Sequence, residues 1–159
     1  MFYTKLVSKE DLKQKMSVLQ KEQKKFVFTN GCFDLLHPGH VLYLQDTKKL
    51  GDYLIIAINT DNSVHRLKGE KRPIFSEQER AEILSGLSCV DFVCLFDEET
   101  PFEIISYLKP DILAKGGDYN LNTIVGRDVV EANGGKVVVI PFVENKSTTN
   151  IVQKILSNF

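Results

Sequence analysis

Five short apolar runs alternate with helix signals along this chain, and that alternation narrows the folds open to it. The most constraining run is Tyr53-Leu54-Ile55-Ile56-Ala57-Ile58-Asn59, apolar at nearly every position. A strand wetted on one face alternates polar and apolar residues, whereas a continuously apolar strand is covered on both faces. Phe26–Thr29, Phe92–Phe96, Asp111–Lys115 and Val137–Ile140 read as further strands. Helix signatures separate them. Ser8 caps a helix to Gln23 whose Leu12, Met16 and Leu19 form one stripe. Pro38 opens a helix to Leu50, closed by Gly51. Ser76 and Glu79 form a capping box at the start of a helix to about Leu87. Thr100 caps the next helix, Pro101 takes its first position and Glu103 completes a second box. A helix after Gly116-Gly117 ends near Asn133, and Ser147 or Thr148 caps a last one through Ile151, Ile155 and Leu156. The expected class is α/β, a doubly wound five-stranded parallel sheet with helices on both faces. Residues 1–159 are expected to form a single domain, with 1–24 as a helical lead-in to a core over 25–159.

Bulk properties remove several function classes. Twenty Lys and Arg stand against twenty-one Asp and Glu, a formal charge of -1. A duplex-binding surface needs a basic excess, so nucleic acid is not expected as a partner. No apolar run reaches the ~18 residues of a membrane span, and the N-terminus carries no signal-peptide pattern. Cys32, Cys89 and Cys94 form no CxxC pair and no zinc spacing, as reduced thiols of a cytoplasmic protein would.

In a parallel sheet ligands bind beyond the carboxyl ends of the strands, so the loops there carry the search. The first reads Thr29-Asn30-Gly31-Cys32-Phe33-Asp34-Leu35-Leu36-His37-Pro38-Gly39-His40. His37 and His40, three apart at a helix start, share one face of the first turn. Free N–H groups and the helix dipole favour an anion there, and Gly39 has no side chain to obstruct a phosphate. Ser147-Thr148-Thr149, opening the last helix, offers a second anion site. After the fourth strand, the glycines of Lys115-Gly116-Gly117-Asp118 let a flat base approach the backbone. Asp97-Glu98-Glu99 reads as a solvated loop, and His65 as a surface residue. No metal-ligand set is read from the sequence.

TNGCFDLLHPGH resembles the signature of the HxGH nucleotidyltransferase superfamily, whose sheet is Rossmann-like. Asn59-Thr60-Asp61, Arg66-Leu67-Lys68-Gly69, Arg72-Pro73, Gln78-Glu79-Arg80, Lys115-Gly116-Gly117-Asp118-Tyr119 and Pro141 to Thr149 follow in the same order. Within the superfamily the chain is most similar to the adenylyltransferases that make ADP-heptose, over roughly residues 24 to 156. The resemblance implies that His37 and His40 hold the ATP phosphates and stabilise the transition state. It also implies that Lys68, in the glycine-bearing basic loop RLKGEKR, closes on the triphosphate. Cys32, Phe33, Gly39, Arg80, Gly116, Gly117, Asp118, Ser147 and Thr148 fall on the nucleotide side. Asn30, Asp34 and Lys115 fall on the sugar-phosphate side.

The implied reaction joins heptose 1-phosphate to ATP, with Mg²⁺ on the phosphates, giving ADP-heptose and pyrophosphate for surface-glycan precursors. A heptose kinase, separate or fused, is the implied pathway partner, and a homodimer is left open. One departure stands out. Related cytidylyltransferases carry Arg-Thr-Glu-Gly-Ile before their Ser-Thr, whereas here Phe142-Val143-Glu144-Asn145-Lys146 lacks the arginine. There is no P-loop and no nucleophile elbow. A cytidylyltransferase acting on glycerol 3-phosphate and a nucleotide-binding module without turnover are the alternatives.

Overall fold

Five strands form one parallel sheet: β1 (Phe26–Gly31), β2 (Tyr53–Asn59), β3 (Phe92–Phe96), β4 (Ile112–Gly116) and β5 (Lys136–Ile140). Their order is β3-β2-β1-β4-β5. The computed structural model describes residues 5–117, 120–141 and 148–158. Successive strand side chains point to opposite faces, and here both sets are apolar. Phe26, Phe28, Ile55, Ala57, Cys94 and Leu113 face one layer, packed with residues of α1 (Lys9–Lys21), α5 (Phe102–Leu108) and α6 (Arg127–Ala132). Val27, Leu54, Ile56, Ile58, Val93 and Ala114 face the other, packed with residues of α2 (Pro38–Lys48) and α4 (Glu77–Ser85). The expected doubly wound, Rossmann-like sheet is therefore present, and the strand order reverses direction between β1 and β4. That crevice is where such sheets hold ligands.

The N-terminal segment, read as a lead-in, is part of this packing. Leu12 and Met16 of α1 expose no surface. Val7 N–H donates to Val93 O and Val93 N–H to Lys5 O, both at 2.9 Å, so residues 5–7 extend the sheet beyond β3.

Three local expectations need correction. Residues 61–68 form a helix, α3 (Asp61–Lys68), capped by Thr60, whose side chain accepts Ser63 N–H at 3.2 Å. Only Ser63 and Val64 of it are buried, so it lacks the apolar stripe that reveals a helix in sequence. Lys68 thus ends a helix rather than sitting within a loop, and the loop begins at Gly69, at φ 90°. Second, Pro101 lies at the N-cap of α5 and no side chain caps it, so the Thr100–Glu103 box does not form. Third, α2 ends at Lys48, and Gly51 is needed for close approach instead. A Cβ there would lie 2.7 Å from Val27 Cγ2 and 2.9 Å from Lys25 O.

Asp111, just before β4, ties three elements together. Its carboxylate accepts Phe26 N–H at 3.0 Å, the Gln20 amide at 3.1 Å and the Lys25 ammonium at 3.1 Å. Burial pushes its carboxyl up, but those hydrogen bonds and the Lys25 charge outweigh that and hold it below 3.8. A depressed carboxyl contributes stability above its unfolded pKa, lost as pH falls through the folded value. Asp111→Ala is expected to cost about 2 kcal/mol, since it strands a backbone donor and removes a charged acceptor. Urea unfolding at pH 7 measures this, and the difference from wild type should shrink below pH 3.8.

Candidate active site at the carboxyl ends of β1 and β4

The loop after β1 leads straight into α2, and both histidines sit at that junction. His37 is the N-cap of α2 and makes no side-chain cap bond, while Pro38 takes the first turn. The imidazoles of His37 and His40 stack with centroids 3.8 Å apart and planes 20° apart. Gly39 between them is buried. Phe33 adopts a left-handed φ of 47° and tilts its ring against His40, with centroids 5.3 Å apart. That ring lies over Gly31, where a Cβ would come within 3.0 Å of Phe33 Cε2. Burial, then the charges of His37 and Lys68, push the His40 imidazole down to about 4. It is therefore neutral at pH 7, and an arriving phosphate would oppose that shift by favouring the charged form.

A cavity of about 370 Å³ opens above this loop. Asn30, Cys32, Phe33, Asp34, His40, Lys68, Lys115, Gly116 and Thr148, all expected site residues, line it together with Gly31 and Tyr43. Lys68 arrives from the end of α3 and Lys115 from β4. Thr148 begins α7 (Thr148–Asn158) and donates from Oγ1 to Leu35 O at 3.3 Å, bringing that helix start to the β1–α2 loop. Gly117 follows β4 at φ 109°, a conformation that favours glycine. Tyr43 was not foreseen; it lies one turn beyond His40 on α2, and its hydroxyl bonds Thr29 Oγ1 at 2.8 Å. Cys32 donates its thiol to Asn59 Oδ1 at 3.6 Å, and burial pushes that thiol up, away from a nucleophilic thiolate. Asp118 and Ser147 lie outside the described residues. A larger cavity, about 550 Å³, lies at the β3 edge between the N-terminal segment and α5 and contains none of these groups.

Two expected ligand-binding residues are engaged in the scaffold. The Arg80 side chain has no exposed surface. It donates to Phe75 O at 3.1 Å, Cys32 O at 2.7 Å, Asn59 O at 2.8 Å and Asp61 Oδ1 at 2.7 Å. A guanidinium so placed fixes the loop, the end of β2 and the start of α3 against one another, and it does not line the cavity. Asp34 does line it, but its Oδ1 accepts Ile74 N–H at 2.8 Å and Phe75 N–H at 3.1 Å. Its Oδ2 pairs with Arg72 Nε at 2.8 Å, a charge contact rather than an aligned hydrogen bond. That carboxylate anchors the segment after Lys68 more than it faces a sugar.

The sequence pattern of the cytidylyltransferase-like family matches residues 28–154. The chain belongs to the cytidylyltransferase-like family. It is 53% identical over 156 residues to the bifunctional protein HldE of Syntrophotalea carbinolica, covering 98% of this chain and 32% of that protein. Against HldE of Citrifermentans bemidjiense it is 61% identical over 136 residues, 86% of this chain and 28% of that one. The chain thus spans about a third of the length of these relatives. The crystal structure of the lipopolysaccharide core biosynthesis protein from Thermoplasma volcanium aligns at TM-score 0.62 and 30% identity, over 77% of this chain and 99% of that one. Pantothenate synthetase from Thermus thermophilus, at 16% identity and TM-score 0.62 over 92% of this chain and 66% of that one, shares the fold.

Arg80 holds the β1–α2 loop at Cys32 O, ahead of the HPGH turn. Removing the buried guanidinium leaves three backbone carbonyls and the half-buried Asp61 carboxylate without their donor. Arg80→Ala is expected to destabilise the fold by about 3 kcal/mol, with Arg80→Lys recovering part of it. Denaturant unfolding monitored by circular dichroism checks both, and an unchanged midpoint for Arg80→Ala would overturn the clamp.

Proposed function

We propose that this chain is a sugar-phosphate adenylyltransferase that joins heptose 1-phosphate to ATP, releasing pyrophosphate and giving ADP-heptose. The reading rests on one observation above all. His40, with His37 stacked against it, lines the switch-point crevice together with Lys68, Lys115 and Thr148, from four elements in all. Similarity to HldE proteins and to a lipopolysaccharide core biosynthesis protein supports a surface-glycan precursor as the product. The heptose kinase, separate or fused, is the partner this reading requires, and the cytoplasm, where ATP is made, the compartment it fits. Among the described residues no helix is long and apolar enough to cross a membrane.

The chemistry needs no protein nucleophile. An oxygen of the acceptor phosphate attacks the α-phosphorus of ATP, and the bond from that phosphorus to the bridging oxygen breaks. Pyrophosphate leaves with the electron pair. The attacking phosphate is already ionised at pH 7, so no general base is required. His37 and His40 hold the phosphates at the α2 N-terminus, where the helix dipole favours negative charge. Lys68 neutralises charge developing on the leaving group, and Thr148 presents the start of α7 to the same anion. Among the described residues no cluster of three His, Cys, Asp or Glu side chains is placed to hold a metal. Mg²⁺ bound with the triphosphate would neutralise phosphate charge.

His37→Ala and His40→Ala are each expected to lower kcat about 100-fold or more with the melting temperature nearly unchanged. Pyrophosphate-release kinetics measure this, and near-normal turnover in a folded double variant would remove the site assignment. The substrate reading has its own test. Calorimetry with Mg²⁺ should show ATP binding more tightly than CTP. Competition assays should then give heptose 1-phosphate a kcat/KM about tenfold or more above glycerol 3-phosphate, which leaves sugar-reading groups unpaired. Preference for CTP and glycerol 3-phosphate would transfer the chain to the cytidylyl reading.

A further inference from the structure

The helix α3 carries Lys68 to the crevice, yet little apolar packing holds it. Of its eight residues only Ser63 and Val64 are buried. A helix with so narrow an apolar footprint rolls or tilts unless polar contacts fix it. Its first turn is tied in this way. Asp61 accepts from Arg80 at 2.7 Å, its N–H donates to Glu77 Oε2 at 2.7 Å, and Ser63 Oγ accepts from the Asn59 amide at 3.0 Å. Lys68 stands at the other end, about 12 Å away at 1.5 Å per residue. A tilt about the tied end is therefore felt most at Lys68.

In the last turn Arg66 supplies a tie. Its Nη2 donates to Asp97 Oδ2 at 3.0 Å and also to Asp97 O. The other carboxylate oxygen, Asp97 Oδ1, accepts from Thr60 Oγ1, the hydroxyl that caps α3 at Ser63 N–H. One carboxylate thus holds both ends of the helix. The sheet puts it there. Asn59 of β2 and Phe96 of β3 are register partners, so the next residues, Thr60 and Asp97, leave the sheet side by side, and Thr60 N–H donates to Phe96 O at 3.0 Å. Arg66 reaches back to this point from the last turn because helical side chains lean toward the N-terminus. The Thr60 hydroxyl, then the Arg66 guanidinium, hold the Asp97 carboxyl below 3.8. The Asp97-Glu98-Glu99 run is exposed, as its sequence suggests, but Asp97 is engaged. With side chains 45% and 57% exposed, Arg66 and Asp97 add little to global stability. What they fix is the local direction of α3.

We propose that Asp97 is a positioning residue for Lys68, acting through Arg66 and Thr60 to set the orientation of α3. The proposal rests on the nucleotidyltransfer reading, in which Lys68 meets the departing pyrophosphate. It extends the machinery of the crevice to a loop at the end of β3 that lines no part of it.

The test is a double-mutant cycle. Asp97→Ala should lower kcat about tenfold, because a misplacement of about 1 Å can cost as much as about 100-fold. The acceptor KM should stay within about twofold, and the melting temperature within about 4 °C of wild type. In a Lys68→Ala background the same substitution should change kcat less than about twofold, since a residue that acts through Lys68 then has nothing to position. Asp97→Glu should recover part of kcat. Glu99→Ala, which removes an equal charge from the same loop, should leave kcat unchanged. Additive losses in the cycle, an unchanged kcat for Asp97→Ala, or an equal loss in Glu99→Ala overturns the proposal. If wild type turns over no sugar phosphate, the functional reading fails by itself. The same cycle is then followed by calorimetry with Mg²⁺ and inorganic pyrophosphate. Affinity lowered by Asp97→Ala only where Lys68 is present sustains the proposal; an equal loss in both backgrounds, no loss, or no binding by wild type removes it.

Discussion

A guanidinium with no exposed surface lies beneath the loop between β1 and α2, and the geometry of the crevice hangs from it. Arg80 reaches Cys32 O in the loop, Asn59 O at the end of β2, Asp61 at the start of α3 and Phe75 O just before its own helix. Its planar fork of donors matches several fixed acceptors at once, which an ammonium cannot do. Because α3 is pinned at its first turn, Lys68 at its far end is carried to the cavity rim. Asp34 holds the following segment from the other side through Ile74, Phe75 and Arg72. The two buried charges thus build the frame within which the cavity-lining groups are set.

The electrostatics of the crevice follow from that division of labour. The described carboxylate and guanidinium closest to the loop satisfy each other or the backbone, while His40, Lys68 and Lys115 face the cavity. His40 is neutral before a ligand arrives because burial, then His37 and Lys68, oppose its protonation. On the proposed function a triphosphate supplies the missing negative charge, so nucleotide binding and protonation of His40 favour each other. In the proposed reaction, donors held rigidly in this way would not need to reorganise as charge shifts from the α-phosphorus to the leaving pyrophosphate, the condition under which electrostatic catalysis is strongest.

Much of this was legible along the chain. The five strands show because a strand covered on both faces must be apolar throughout, and HPGH shows because two histidines flank a helix start after the first of them. Thr148, Lys115 and the glycines after β4 were found by asking which loops follow strands. Other features left no linear signal. α3 buries only Ser63 and Val64, so no apolar period announces it. Arg80 follows a capping box that reads as the start of a surface helix, and nothing local shows that its side chain turns inward to meet Cys32, 48 residues away in sequence.

The sequence by itself determined the strand set, the two-faced sheet and the residue types offered at its carboxyl edge. Those depend on local hydrophobic period and on turn and cap chemistry, which act within a few residues. Only the tertiary structure decided which of the offered charges face a ligand. Arg80 and Asp34 are held by backbone groups from distant segments, whereas Lys115 lines the crevice and, among the described residues, donates only to the Asn30 amide oxygen. The reason is burial: whether a charged side chain is neutralised by the fold or left for a substrate depends on what long-range packing places beside it.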